Sequence, residues 1–330
     1  TFAQSLRIDS GTVRVQANGA LGANITSTAI DLNNGTLEIR SDAPAGFATR
    51  NISFRNNTTS SVFADHDVTG SLGIGTAAMN QTIAPAAMLR STGTDGATLV
   101  FNGRNGYGYS FAWWASASNG STTLTNSTSG LNAITGNINI SSNSTARTAT
   151  LQGGGDWSVA GLISASGATH AFTKAGSGLI NFSSSAGTLS TFTGNASLND
   201  GVTRIRSVDL LNNTSASAGR IVFGGGALSF VGAPTTGAGE TWTNKVLDLN
   251  GNAYVQADQA GSAPTALVLP NNFAVSNTSA KTLFFGGVSA AAVINQVTGL
   301  ITNGVNLTNV TKYGSNTWEI QAPLSYGSAS

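Results

Sequence analysis

Fourteen carboxylates and two histidines are the groups of this 330-residue chain best placed for acid–base chemistry. The tightest constellation among them is Asp65-His66-Asp67. Alternate residues of an extended segment share a face, so Asp65 and Asp67 could hold a calcium ion or work as an acid–base couple. A solvated turn accounts for the triplet equally, since one local triplet without further ligands does not define a site. His170 stands alone, and Asp156, Asp200, Asp209, Glu240, Asp248 and Asp258 are far apart in sequence, so only stacking of one segment on another would bring any of them together. No phosphate loop, dinucleotide fingerprint, GxSxG elbow or HExxH helix occurs. With no cysteine there are no disulfides, thiolate zinc sites or cysteine nucleophiles. The expectation is a chain that is not an enzyme and carries no cofactor.

Binding chemistry has one dense candidate. Tyr107, Tyr109, Phe111 and Trp113 alternate along an extended segment and are expected on one face, with Trp114 on the other. Four rings in a row suit stacking on sugar rings or contact with a neighbouring molecule; they also suit the core, where aromatics contribute most area. The surrounding residues 91–125 fit the repeat described next least well, and are expected to form an irregular, aromatic-rich insertion.

The elements that must position these groups are legible in a repeat. Ser5–Val15 reads SLRIDSGTVRV and Ala29–Ile39 reads AIDLNNGTLEI. Leu6 and Ile8 answer to Ile30 and Leu32, Gly11 to Gly35, and Val13 and Val15 to Leu37 and Ile39, a step of about 24 residues typical of a solenoid coil. Each copy is two short strands around a glycine turn, apolar residues alternating with polar or charged ones. The template returns at Arg220–Phe230, RIVFGGGALSF, with Gly226 in the turn, and at Val246–Gln256. Leu131–Ser144 alternates Ile134, Ile138 and Ile140 with Asn and Ser that could stack as side-chain ladders. Only Ala77–Leu89, rich in Ala, Met and Leu, suggests a short helical turn.

Composition sets limits on partners. Charged residues make up 9% of the chain and the formal net charge is +1, so the electrostatic footprint of a nucleic-acid binder is missing. Low charge also reduces self-repulsion and permits association between copies. No stretch approaches the roughly 20 apolar residues of a membrane helix.

At Trp157–Arg206, Thr173, Lys174, Gly176 and Gly178 form a turn; Leu179, Ile180 and Phe182 a strand; Phe192-Thr193-Gly194 the next segment; and Gly201 to Ile205 a last turn and strand. This run resembles the autotransporter-associated β-strand repeat. A second copy of the turn lies at Val310–Ile320, VTKYGSNTWEI, where Thr311, Lys312 and Gly314 are kept and Asn316 replaces the second glycine, a change that asparagine's tolerance of positive φ would allow. The resemblance implies a secreted bacterial surface protein, extracellular, built as a right-handed parallel β-helix. Repeat and resemblance together predict an all-β fold, a single solenoid over residues 1–330 in coils of about 22–26 residues. The function expected of it is structural or adhesive: a surface fibre or filament subunit whose partner is another copy joined through edge strands, or surface glycans or matrix. A glycan-active or glycan-binding β-helix is the alternative.

Overall fold

The computed structural model describes residues 5–16, 30–41, 51–55, 58–66, 80–92, 96–116, 120–141, 144–184, 189–211, 219–234, 236–243, 245–276, 278–289, 292–302, 307–321 and 324–325. They form an all-β, parallel β-solenoid of about ten turns with almost no helix. The chain divides into two compact units, Thr1–Ala168 and Thr169–Ser330.

In the first unit the two opening copies of the repeat stack in the register their sequences dictate. Leu6–Ile8 pairs with Ile30–Leu32, Leu6 beside Ile30, and Gly11–Val15 pairs with Gly35–Arg40, Val13 beside Leu37. One sheet continues through Ile52–Arg55, Thr82–Thr92, Gly108–Ser116, Asn132–Ile134 and Trp157–Val159, and the other through Thr59–Asp65, Ala97–Gly103, Thr122–Asn126 and Thr148–Gly153. In-register pairing places like residues above one another. Ile30, Ile52, Leu89, Trp114, Ile138 and Ile163 form one interior column, and Leu99, Leu124 and Leu151 another. Every one of these side chains is fully buried. Backbone groups find partners in the neighbouring coil while the apolar face is removed from water, so the ladder and the core stabilise each other.

The aligned glycines of the first two turns are glycine for different reasons. Gly11 adopts φ 73 with open space where a Cβ would stand. In the second turn Asn34 carries the positive φ, at 65, and Gly35 instead leaves room for Ile8, whose Cγ2 would lie 2.4 Å from an added Cβ.

Two expectations are corrected here. Thr82–Thr92 is a strand along its whole length, so the described part of the Ala-, Met- and Leu-rich segment is not helical; residues 77–79 lie outside the described residues. Parallel partners on both sides override its local preference. The described part of residues 91–125 is no irregular insertion either: Ala97–Gly103, Gly108–Ser116 and Thr122–Asn126 are regular members of the two sheets, while residues 93–95 and 117–119 lie outside the described residues.

The second unit repeats the plan, with Leu179–Phe182, Val202–Ile205, Ala227–Phe230, Ala253–Ala257, Lys281–Gly286 and Leu307–Lys312 in one sheet. Ala171–Lys174, Ala196–Leu198, Ile221–Phe223, Leu247–Leu249 and Ala274–Val275 form the other. A third short sheet joins them, Val268–Leu269, Ile294–Val297 and Thr317–Ile320, and Thr241 bridges to Val268 at its start. In the corresponding stretch of the coil before Thr241 stands a single 3-10 turn, Val208–Leu210. A concavity lies beside that mismatch between neighbouring coils.

Candidate functional site

The aromatic row does not form a platform. Tyr107, Tyr109 and Phe111 are buried, and Trp113 alone of the four is exposed, at 57%. The strand Gly108–Ser116 straddles a corner: Phe111 pairs with Ile134 on one side of it, and Trp114 with Ile138 on the other. Between Phe111 and Trp114 the inward spacing becomes three residues, which turns Trp113 out and Trp114 in. Strict alternation fails at that corner, and with it the expectation of one shared face. Tyr109 donates its hydroxyl to the Asn102 carbonyl at 2.6 Å, Tyr107 donates to the Ser41 carbonyl at 2.7 Å, and Phe101 lies 5.1 Å from the rings of both Tyr109 and Phe111.

Asp65 is buried and already occupied. Its Oδ2 accepts from Arg40 at 2.7 Å, and its Oδ1 accepts from Asn105 Nδ2 at 2.7 Å and from the His66 backbone N–H at 2.9 Å. These bonds leave Asp65 placed as an ion-pair residue rather than a calcium ligand; Asp67 lies outside the described residues. Charges elsewhere pair in the same way, each with a residue one coil away: Arg14 with Glu38, Arg55 with Asp31, Arg220 with Asp248. Burial works to raise the Glu38 carboxyl, but hydrogen bonds from Arg14 and Arg40 and their positive charge outweigh it and hold the group below the usual carboxylate range. A depressed folded value means that Glu38 contributes stability above its unfolded value of about 4.3, lost as pH falls through the lower folded value. Glu38→Gln is therefore expected to be less stable than the parent at pH 7, the gap in urea midpoint closing on acidification below about pH 4. A gap that stays constant with pH would remove Glu38 from the acid limb.

The two lysines at matched repeat positions do the same work. Lys174 is buried, and its Nζ donates to the carbonyls of Ala175, Gly176 and, at 3.0 Å, Asp200 in the following coil. Lys312 donates to the carbonyls of Tyr313 and Gly314. Gly176 and Gly314 share a positive φ, 74 and 70, so the Thr-Lys-x-Gly turn has one geometry in both copies. Gly178 and Gly226 each close a turn before a strand. Asn316 is not at positive φ; it is buried and its Nδ2 donates to the carbonyls of Gly286, at 2.7 Å, and Ala257, at 3.1 Å. Its amide, not its backbone tolerance, explains its presence in the turn.

Asparagines also act differently from stacked ladders. Asn132 Oδ1 accepts the Tyr109 N–H, Asn137 that of Leu162, Asn195 that of Arg220, Asn252 that of Thr282, and Asn295 that of Leu267. Each side chain binds the backbone of an adjoining coil rather than another asparagine.

One cluster of ionisable groups was not legible as a unit. A pocket of about 130 Å³ is lined by Val208, Asp209, Glu240, Thr241, Trp242, Thr243 and Lys245. The 3-10 turn supplies Val208 and Asp209, and the stretch entering the third sheet supplies the rest. Glu240 Oε2 accepts the Val208 N–H at 3.0 Å and the Trp242 Nε1–H at 3.1 Å, while Oε1 accepts from the Ser207 hydroxyl at 2.8 Å. Asn271 Nδ2 donates to the carbonyls of Trp242, Thr243 and Lys245, which fixes the turn bearing the lysine. Lys245 is 3% exposed and its Nζ lies 4.0 Å from Asp209 Oδ1. Burial pushes the Lys245 amine down to about 8, against the pull of Asp209 and Glu240. Burial likewise raises the Glu240 carboxyl, helped by the charge of Asp209 and opposed by its three hydrogen bonds. An amine part-neutral near neutral pH beside two carboxyl groups is a nucleophile with proton carriers at hand. The sequence did hold one signal: GAGETWTNK, within the long interval between Phe230 and Leu247, breaks the short-turn rhythm and concentrates Glu, Trp and Lys there.

No cluster of three or more potential metal ligands occurs among the described residues, and no helix of the described chain is long and apolar enough to cross a membrane. Comparison of the chain with protein-family models, with curated proteins and with solved structures finds no match in any of the three.

Proposed function

We propose that this protein is an extracellular structural or adhesive β-solenoid, a spacer or fibre subunit that associates with further copies of itself through strand edges. The observation that carries the reading is the use of its charges: the carboxylates of Asp31, Glu38, Asp65 and Asp248 are each tied to an arginine in a neighbouring coil. Ionisable groups spent on holding coils together are not poised for turnover, and the faces left between them are dominated by Ser, Thr, Asn and Gly. Backbone pairing in parallel register can continue into a second molecule as strand addition does, and a head-to-tail contact of that kind propagates without closing. The extracellular setting follows from the resemblance of the Thr-Lys-x-Gly repeat to surface β-helices. Surface glycans or matrix remain secondary partners on this reading, with Trp113 the exposed ring available to meet them.

Negative-stain electron microscopy across a concentration series tests the assembly. Fibres of uniform width that lengthen with concentration are expected. Particles that stay single at every concentration would overturn the self-association and leave only the spacer.

A further inference from the structure

The pocket beside the third sheet holds an arrangement that a structural ion pair does not need. An exposed or half-exposed pair, such as Arg55 with Asp31, satisfies its charges by direct contact. The buried Lys245 and the partly exposed Asp209 instead lie 4.0 Å apart, with a second carboxyl, Glu240, bonded to Val208 and Trp242 beside them. The Val208 N–H that Glu240 accepts belongs to the residue before Asp209, and the Trp242 indole it also accepts belongs to the turn that carries Lys245. Glu240 is thereby anchored both to the turn that bears Asp209 and to the turn that bears Lys245.

We propose that Lys245 and Asp209 condense into an intramolecular amide, with Glu240 carrying the protons. The Lys245 ammonium passes one proton through Glu240 to the Asp209 carboxylate, and the freed Nζ lone pair adds to Cγ, so that an N–C bond forms. The amine gives up one proton to the Glu240 carboxylate, which passes it to the departing hydroxyl as the C–OH bond breaks. One water leaves, Glu240 ends as it began, and no oxidant, reductant or further reactant is consumed. With Nζ 4.0 Å from Asp209 Oδ1, a side-chain adjustment is what must bring the amine onto the neighbouring Cγ. Burial of Lys245 assists, because it keeps part of the amine neutral and nucleophilic. Asn271 prevents the turn from swinging the lysine away, because its amide holds three of that turn's carbonyls. Joining the 3-10 turn to the opening of the third sheet would staple two neighbouring coils at the place where their paths diverge.

Intact-mass measurement of the purified full chain, followed by peptide mapping, decides the matter. A mass about 18 Da below that of the sequence, traced to a branched peptide linking Lys245 with Asp209, is the expected result. Lys245→Arg should restore the full mass, and Glu240→Gln should leave the two residues unjoined while circular dichroism remains that of the parent. Asp209→Asn supplies a positive variant, since attack on its amide expels ammonia and lowers the mass by about 17 Da while giving the same bond. A parent protein at full sequence mass, or a mass loss that maps to other residues, overturns the proposal. A bond that forms undiminished in Glu240→Gln overturns the role given to Glu240.

Discussion

Phe101→Ala is expected to cost about 3–5 kcal/mol of unfolding free energy, among the largest effects of any single truncation in the first unit. Phe101 is fully buried, and three rings converge on it: Tyr109 and Phe111 at 5.1 Å and Trp157 at 5.8 Å, edge-on. Tyr109 and Phe111 share one strand and Trp157 belongs to another, so the removed ring leaves a void that no single strand can close. Neighbouring backbone is held by parallel pairing on both sides, through Val62 in one coil and Asn126 in the other, and collapse around the cavity is correspondingly limited. Urea unfolding followed by tryptophan fluorescence measures the change. A loss under about 1 kcal/mol would mean that the stack repacks and that the cluster is not the keystone of its coils.

Gly153→Ala should be comparably damaging for a reason that has nothing to do with hydrophobicity. Gly153 adopts φ 115, a region L-residues rarely enter, and a Cβ placed on it would stand 2.0 Å from the Asn126 carbonyl oxygen. That oxygen is backbone and already accepts the Gly155 N–H at 3.1 Å, so it cannot yield without breaking the turn. The Asn126 side chain is equally committed, donating to the Asp156 carbonyl at 2.8 Å and accepting the Thr128 N–H at 2.9 Å. Backbone strain of about 1–3 kcal/mol and displacement of about 1–3 kcal/mol act together. The expected outcome is a loss of roughly 2–6 kcal/mol with the secondary structure intact at low temperature, read by thermal denaturation. An unchanged midpoint would show that the turn relaxes into an alternative path.

How far the sequence speaks for the structure depends on the range of the interaction. Leu6, Ile8, Val13 and Val15 announce their partners Ile30, Leu32, Leu37 and Ile39 because a coil stacked on a coil must match apolar positions residue for residue. The Thr-Lys-x-Gly turn is legible too, since Lys174 and Lys312 cap carbonyls only one and two residues away. The corner between Phe111 and Trp114 was hidden, because a change of spacing from two to three looks like noise in an apolar run. Trp114 reveals its orientation only through the aliphatic column it joins, Leu89 before it and Ile138 after it. The Asp209, Glu240 and Lys245 cluster was out of reach for a further reason. Its members meet because one coil has a 3-10 turn where the next begins a third strand, and no periodicity encodes a difference between neighbours.

The preference of side chains for the adjoining coil bears on how the protein would respond to force. Backbone pairs, most arginine–carboxylate pairs and the asparagine bridges run from one coil to the next, so a pull directed from coil to coil loads them a few at a time rather than all at once. Within either unit such a pull would peel coils singly, each releasing the slack of one repeat, about 80 Å for a step like that from Leu6 to Ile30. A pull across the coils meets the strands lengthwise and must shear every ladder on a face together. The same molecule would therefore yield gradually in one direction and resist in the other, a mechanical anisotropy written into the choice of bonding partner.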